Sequence, residues 1–211
     1  METPNDIRRV LLLHGLWMPA VVMRPLARRL AAAGYEPEIF GYHAVLGGPE
    51  AAIGRLCRRL REGPAHVVAH SLGGLVALQA LEREPDLPVR RVVCLGSPLC
   101  GSGAAGGLAR HAWAGRALGG SAELLRCGCR PWRGRAEVGM IAGRMPLGLG
   151  QFFGGFDGDS DGTVAVAETR LEGLADHVVV AASHSTMLVS PAVARQVVAF
   201  LHDGRFRRDE P

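Results

Sequence analysis

Apolar residues along the chain fall into short, nearly unbroken runs separated by longer stretches with helical spacing. Arg9 to Leu13, His66 to Ala69 and Arg91 to Leu95 have the continuous apolar character of strands buried on both faces. Glu38 to Tyr42, Val138 to Ala142 and Val178 to Ala182 supply three more strand segments. Between them, residues 20–33, 49–61, 72–82 and 190–202 repeat apolar positions at helical intervals, and a glycine-interrupted, helix-prone stretch spans 104–126. Gly34 and the Gly63-Pro64 pair are natural stops for the first two helices. The helix from Leu72 is apolar nearly all round until Gln79, which predicts that it is buried.

Strands alternating with helices predict an α/β fold, with a mostly parallel sheet of about six strands covered by helices on both faces. No repeat or linker divides the chain, so residues 1–211 are expected to form a single domain. Such sheets bind ligands at the carboxyl ends of their strands. The residues to read are therefore His14-Gly15-Leu16, His70-Ser71, Gly96-Ser97-Pro98, the loop to Asp161, and Ser183-His184.

Composition narrows the chemistry. At 211 residues, 48% apolar and 21% charged, the chain is long enough to build a core without a disulfide or metal staple. All 24 basic side chains are Arg; the absence of Lys excludes Schiff-base chemistry, a Walker-type phosphate loop and a lysine base. The net charge of +4 raises nucleic acid as a partner, but the arginines are scattered in pairs and aromatics are only 5%. No basic stripe with interleaved aromatics results, so no nucleic-acid partner is expected. Arg24, Arg28, Arg55, Arg59 and Arg61 read as solvated faces of amphipathic helices.

Five cysteines, an odd number, argue against a disulfide framework, and Cys127-Gly128-Cys129 lacks a second pair at zinc-site spacing. No metal and no cofactor are expected, and reduced thiols fit a cytoplasmic protein. Arg8-Arg9 followed by Val10 to Val22 has the look of a signal peptide, but His14-Gly15 and Pro19 interrupt the apolar run, so it reads as mature protein. No apolar stretch reaches the ~18 residues of a membrane span, so no stable membrane insertion is expected.

Residues 66–74 read His-Val-Val-Ala-His-Ser-Leu-Gly-Gly. A strand running into a helix across a tight turn would lift the Ser71 hydroxyl above the sheet edge, with small residues on either side so that strand and helix can meet. Ser71 would also lie at a helix N-terminus, where N–H groups and the dipole favour developing negative charge. An ordinary Ser cap accounts for the same residues. The motif resembles the nucleophile elbow of the α/β-hydrolase family, with Ala69 in place of the usual first glycine. His14-Gly15 resembles that family's oxyanion loop. The resemblance implies oxyanion donors at the backbone N–H groups of Leu16 and Leu72. His184, two residues after the last strand and before the last helix, stands at the family's position for the general base.

The family order is serine, acid, histidine, and Ser71, Asp161, His184 satisfies it. Asp161-Gly162-Thr163-Val164 resembles the acid-bearing segment of bacterial lipases and esterases, with Asp159 in reserve. Asp176 would lie near the opposite edge of the last strand. Asp157 to Gly162 followed by Glu168 also fits an EF-hand calcium loop, but Pro146 and the glycines after it make an entering helix implausible. Gly96 to Ser102 resembles a pocket-wall segment of lipase-like hydrolases, with Leu99 where that pattern often has His. The resemblance covers residues 8–203 and implies a reduced α/β-hydrolase fold with little or no lid. His14, Trp17, Leu99, Phe152, Phe153 and Met187 are the expected pocket residues. The implied activity is that of a serine esterase or lipase-like enzyme acting through an acyl-enzyme on small esters of short to medium acyl chain. A thioesterase or acyltransferase on the same residues, and a non-catalytic binding module on the same fold, are the alternatives.

Overall fold

The computed structural model describes residues 7–16, 18–42, 48–101, 121–146 and 158–208. Six strands, β1 (Arg9–Leu13), β2 (Glu36–Phe40), β3 (Ala65–His70), β4 (Val89–Leu95), β5 (Glu137–Gly143) and β6 (Asp176–Val180), form one sheet. Their order is β2-β1-β3-β4-β5-β6, and every neighbouring pair is parallel. Among the described residues the helices are α1 (Arg24–Ala32), α2 (Gly48–Leu60), α3 (Leu72–Arg83), α4 (Ala122–Cys127) and α5 (Pro191–Asp203).

Both faces of the sheet are apolar, which is why its strands show no alternation in sequence. Leu11 and Leu13 of β1, with Val67 and Ala69 of β3, pack under α2 and α3. Their neighbours Val10, Leu12 and Val68 face the other way, under α1 and α5. β3 lies in the middle of the sheet with all six residues buried, so its carboxyl end is held from both sides.

Three expected boundaries move, each for a local reason. Residues 20–23 form a 3₁₀ turn and the α-helix starts only at Arg24, because Pro25 has no N–H and is accommodated in a helix's first turn. β2 begins at Glu36, two residues early, since pairing with β1 runs from Arg9↔Glu36 to Leu13↔Phe40. Pro37 is tolerated because β2 is an edge strand. β6 likewise starts at Asp176, in register with Gly139 of β5. Of the stretch 104–126, only the part from Ser121 on lies within the described residues.

One arginine is not on a solvated face. Arg91 in β4 is buried, and its guanidinium donates to Glu137 at 2.6 Å and to the carbonyls of Leu201 and His202 at 2.8 and 2.9 Å. It ties the end of α5 to the sheet. The five cysteines are all free thiols. Among the described residues no helix is long and apolar enough to cross a membrane.

Phe200 of α5 is fully buried and packs against β5, where a Cβ built on Gly139 would fall 2.5 Å from its ring. Gly139→Ala should therefore lower stability by about 1–3 kcal/mol, as overpacked cores do. A fall in the urea midpoint at unchanged slope would show it.

Candidate active site

The carboxyl ends of β1, β3, β4, β5 and β6 carry the residues that matter. Ser71 follows β3 with φ 54° and ψ −123°, and among the described residues it is the sole non-glycine with positive φ. Holding such a backbone costs about 1–3 kcal/mol and persists only where the surroundings impose it. Here they do: the Ser71 N–H donates to the Leu95 carbonyl of β4 at 2.9 Å, and α3 starts at once with Leu72.

Glycines let this turn fit. A Cβ on Gly73 would sit 2.8 Å from the His14 carbonyl oxygen, and one on Gly74 would overlap the Ser97 side chain. α3 can thus descend into the gap between β1 and β4 only if its first turn is bare on that side. Gly15 meets Ser71 from above, its missing Cβ lying 2.9 Å from that of Ser71.

His184 and Asp161 come together across the neighbouring strand ends. His184 Nδ1 is 2.7 Å from Asp161 Oδ2, with both residues buried. The other carboxylate oxygen accepts the N–H groups of Thr163 at 2.9 Å and Val164 at 2.7 Å, and the His184 N–H donates to the Asp161 carbonyl at 2.9 Å. The buried carboxylate thus has both oxygens hydrogen-bonded. It fixes the imidazole with its proton on Nδ1 and leaves Nε2 as an acceptor. Gly96 and Gly143 floor the pair: a Cβ on Gly96 would lie 2.7 Å from Asp161 Oδ2, and one on Gly143 2.8 Å from Asp161 Cβ.

Ser71 is joined to this pair through its neighbour. The His70 ring is fully buried and packs 4.5 Å from the His184 ring, with Nε2 2.9 Å from the His184 carbonyl oxygen. Among the described residues the Ser71 hydroxyl makes no hydrogen bond; in ligand-free sites such contacts often tighten only with substrate. Burial pushes the His70 pKa down to about 3, with the adjoining His184 a smaller influence in the same direction.

The remaining expected positions divide. Leu72 is the first residue of α3, so its N–H is one of those a helix leaves without an internal partner. Leu16 follows Gly15 and packs half-buried against the α2/α3 core. His14 is buried, stacked on Tyr42 at 4.5 Å, with its carbonyl accepting the Tyr42 hydroxyl at 2.7 Å; it braces β1 against the segment after β2. Trp17, Phe152 and Phe153 lie outside the described residues, as does Asp157.

Leu99 and Met187 have no exposed surface to offer an acyl chain. Leu99 is drawn into the α2/α3 core because its segment folds against 126–129, with the Cys129 N–H donating to its carbonyl at 2.7 Å. Met187 packs beneath the His184–Asp161 pair instead, its methyl 3.4 Å from where a Gly96 Cβ would be.

The other carboxylates are otherwise occupied. Asp176 starts β6, at the far end from His184, and accepts the Phe206 N–H at 2.7 Å and an Arg208 N–H. Asp159 is exposed, and Glu168 closes a turn on the Ala165 N–H at 2.9 Å. Among the described residues no group of three His, Cys, Asp or Glu side chains is arranged to hold a metal. In the sequence, His70 and Gly96 stood among the strand-end residues, with no catalytic role for either, and Gly143 was not singled out. Their position at strand ends was the available signal.

A sheet of six parallel strands with a strained serine after the central one, and a buried His–Asp pair beside it, is the architecture of an α/β hydrolase. The family profile described as the alpha/beta hydrolase family matches residues 10–208, and the chain belongs to that family. No curated protein matches the chain. Among solved structures it resembles a lipase of Bacillus licheniformis in its mature form, with TM-score 0.75 and 22% identity over 95% of this chain and 94% of the other. It also resembles a metagenomic carboxyl esterase (TM-score 0.67, 19% identity, 86% and 65% covered). A pyrethroid hydrolase of Sphingobium faniae has TM-score 0.60 at 15% identity, with 94% and 98% covered. At these identities the likeness to solved structures is one of fold.

Burial also makes the fold sensitive to acid. His66 of β3 is held down to about 4, first by burial and then by Arg91, and His70 to about 3. Both folded values lie below the unfolded value near 6.5, so the unfolded state takes up protons first. Stability is complete above that value and falls with pH, by about 1–2 kcal/mol per histidine between pH 7 and 5. Urea titrations at the two pH values should show the loss, with His66→Gln removing roughly half of it.

Proposed function

We propose that the protein is a serine hydrolase of carboxylic esters, with Ser71 as nucleophile, His184 as general base and Asp161 as the group that orients it. The observation that carries this reading is the 2.7 Å His184–Asp161 hydrogen bond at the same carboxyl edge of the sheet as a serine held at positive φ after β3. A serine hydroxyl is a weak nucleophile at neutral pH and needs such a base.

In this mechanism His184 Nε2 takes the proton of Ser71 as its oxygen attacks the ester carbonyl. The tetrahedral oxyanion is received by the N–H groups of Leu16 and Leu72, each donor contributing about 3 kcal/mol to the lowered barrier. His184 then hands its proton to the departing alcohol, leaving an acyl group on Ser71. Water enters and attacks the acyl carbonyl as His184 takes its proton; the bond to Ser71 then breaks, the serine oxygen takes that proton back from His184, and the acid is released. Asp161 stays ionised throughout and stabilises the imidazolium.

The substrates fitting this reading are small esters with short to medium acyl chains. The likeness to a lipase and a carboxyl esterase supports the reaction class. The residues between Gly101 and Ser121 are too few for a large cap over the site.

Ser71→Ala should abolish both ester hydrolysis and covalent labelling by a fluorophosphonate, and undiminished hydrolysis would sink the proposal. Asp161→Asn should reduce kcat about 10⁴-fold while leaving slow labelling of Ser71. Equal or faster turnover of acyl thioesters would move the assignment to a thioesterase on the same residues.

A further inference from the structure

Resting on the roles proposed for Ser71, His184 and Asp161, we infer that His70 is a positioning residue: a neutral imidazole strut that sets the spacing between the His184 loop and the Gly15–Ser71 turn. His70 is the last residue of β3 and precedes the strained serine directly. The His70 ring goes inward, where it has no exposed surface.

Its two nitrogens face different partners. Nε2 lies 2.9 Å from the His184 carbonyl oxygen, which can only accept, so Nε2 carries the proton. Nδ1 is then bare. It has no hydrogen-bond partner among the described residues and abuts Gly15, whose missing Cβ would stand 3.2 Å away. That same missing Cβ would be 2.9 Å from Ser71 Cβ. One ring therefore spans from the Gly15 turn beside the nucleophile to the main chain of the base.

His184 needs this support. Asp161 engages its side chain through Nδ1 and its main-chain N–H, at 2.7 and 2.9 Å. The carbonyl is the remaining main-chain group, and His70 binds it. Together these contacts fix the plane of the imidazole as well as its tautomer.

An apolar residue of similar size would fill the space without leaving an unpaired nitrogen, which marks the ring as more than packing. A charged residue would be worse. The titratable groups around His70 are His184 and His14, with Asp161 behind His184. A second cation 4.5 Å from His184 would oppose the imidazolium that forms when Ser71 gives up its proton. Burial prevents this by holding His70 neutral.

The test compares Ser71→Ala, His70→Gln and His70→Asn on p-nitrophenyl butyrate, with folding checked by circular dichroism. The Gln amide nitrogen reaches about as far as Nε2, whereas the Asn amide falls short of the carbonyl. His70→Gln should keep kcat within about tenfold, and His70→Asn should lower it roughly 10²-fold with KM little changed, as expected of a misplaced base. Wild-type kcat in His70→Asn, or equal losses in both variants, would overturn the strut while a dead Ser71→Ala left the reading of the site intact. An active Ser71→Ala would instead sink the reading on which the strut rests. Independently of any variant, nitrogen NMR of the wild-type protein at pH 7 should show His70 protonated at Nε2 alone; protonation at Nδ1 would refute the inference.

Discussion

At the carboxyl edge of the sheet, five glycines leave no room for a Cβ, and the whole site hangs on that closeness. Gly73 and Gly74 let α3 start in the cleft between β1 and β4, within contact of the His14 carbonyl and the Ser97 side chain. Gly15 lets the turn after β1 rest on Ser71, while Gly96 and Gly143 let Asp161 and His184 settle onto β4 and β5. A Cβ at any of these positions would push apart groups that now lie in contact. The positive φ of Ser71 follows from the same crowding, since strand, serine and helix have only one residue in which to turn.

Charge is handled in the same way at both ends of the sheet. Asp161 is almost wholly buried, yet two N–H groups and His184 satisfy its carboxylate. At the opposite end Arg91 is buried with Glu137 and two helix-terminal carbonyls as partners. Buried ions without such partners would be strongly destabilising. The first arrangement leaves an imidazole nitrogen free to act, and the second only anchors α5. In the proposed mechanism the same residue classes therefore serve reaction at one end of the strands and architecture at the other.

Much of the fold was legible in the sequence because central strands and amphipathic helices leave patterns that depend on near neighbours alone. The six strands and the buried helix after Ser71 were of this kind. β2 and β6 were misplaced by two residues because an edge strand's limits are set by register with its partner, here β1 and β5. Leu99 and Met187 were expected at a pocket surface, being apolar and near strand ends. Their burial was decided by how segment 97–101 folds against 126–129 and by the space under the His184–Asp161 pair. The low identity to structures of the same shape has a related cause: the architecture demands small, apolar or turn-forming residues at many positions, and few particular side chains.

By itself the sequence determined the alternation of strands and helices, the serine-bearing turn and the candidates for base and acid. The first two are local properties, written in runs of a few residues; the candidates for base and acid are what the resemblance to a family implied. Only the tertiary structure decided that His184 and Asp161, 23 positions apart, share a hydrogen bond. It also decided that His70, 114 positions from His184, meets that residue's main chain. Distances between strand ends depend on sheet order and on how closely backbones approach, and no window of sequence contains either.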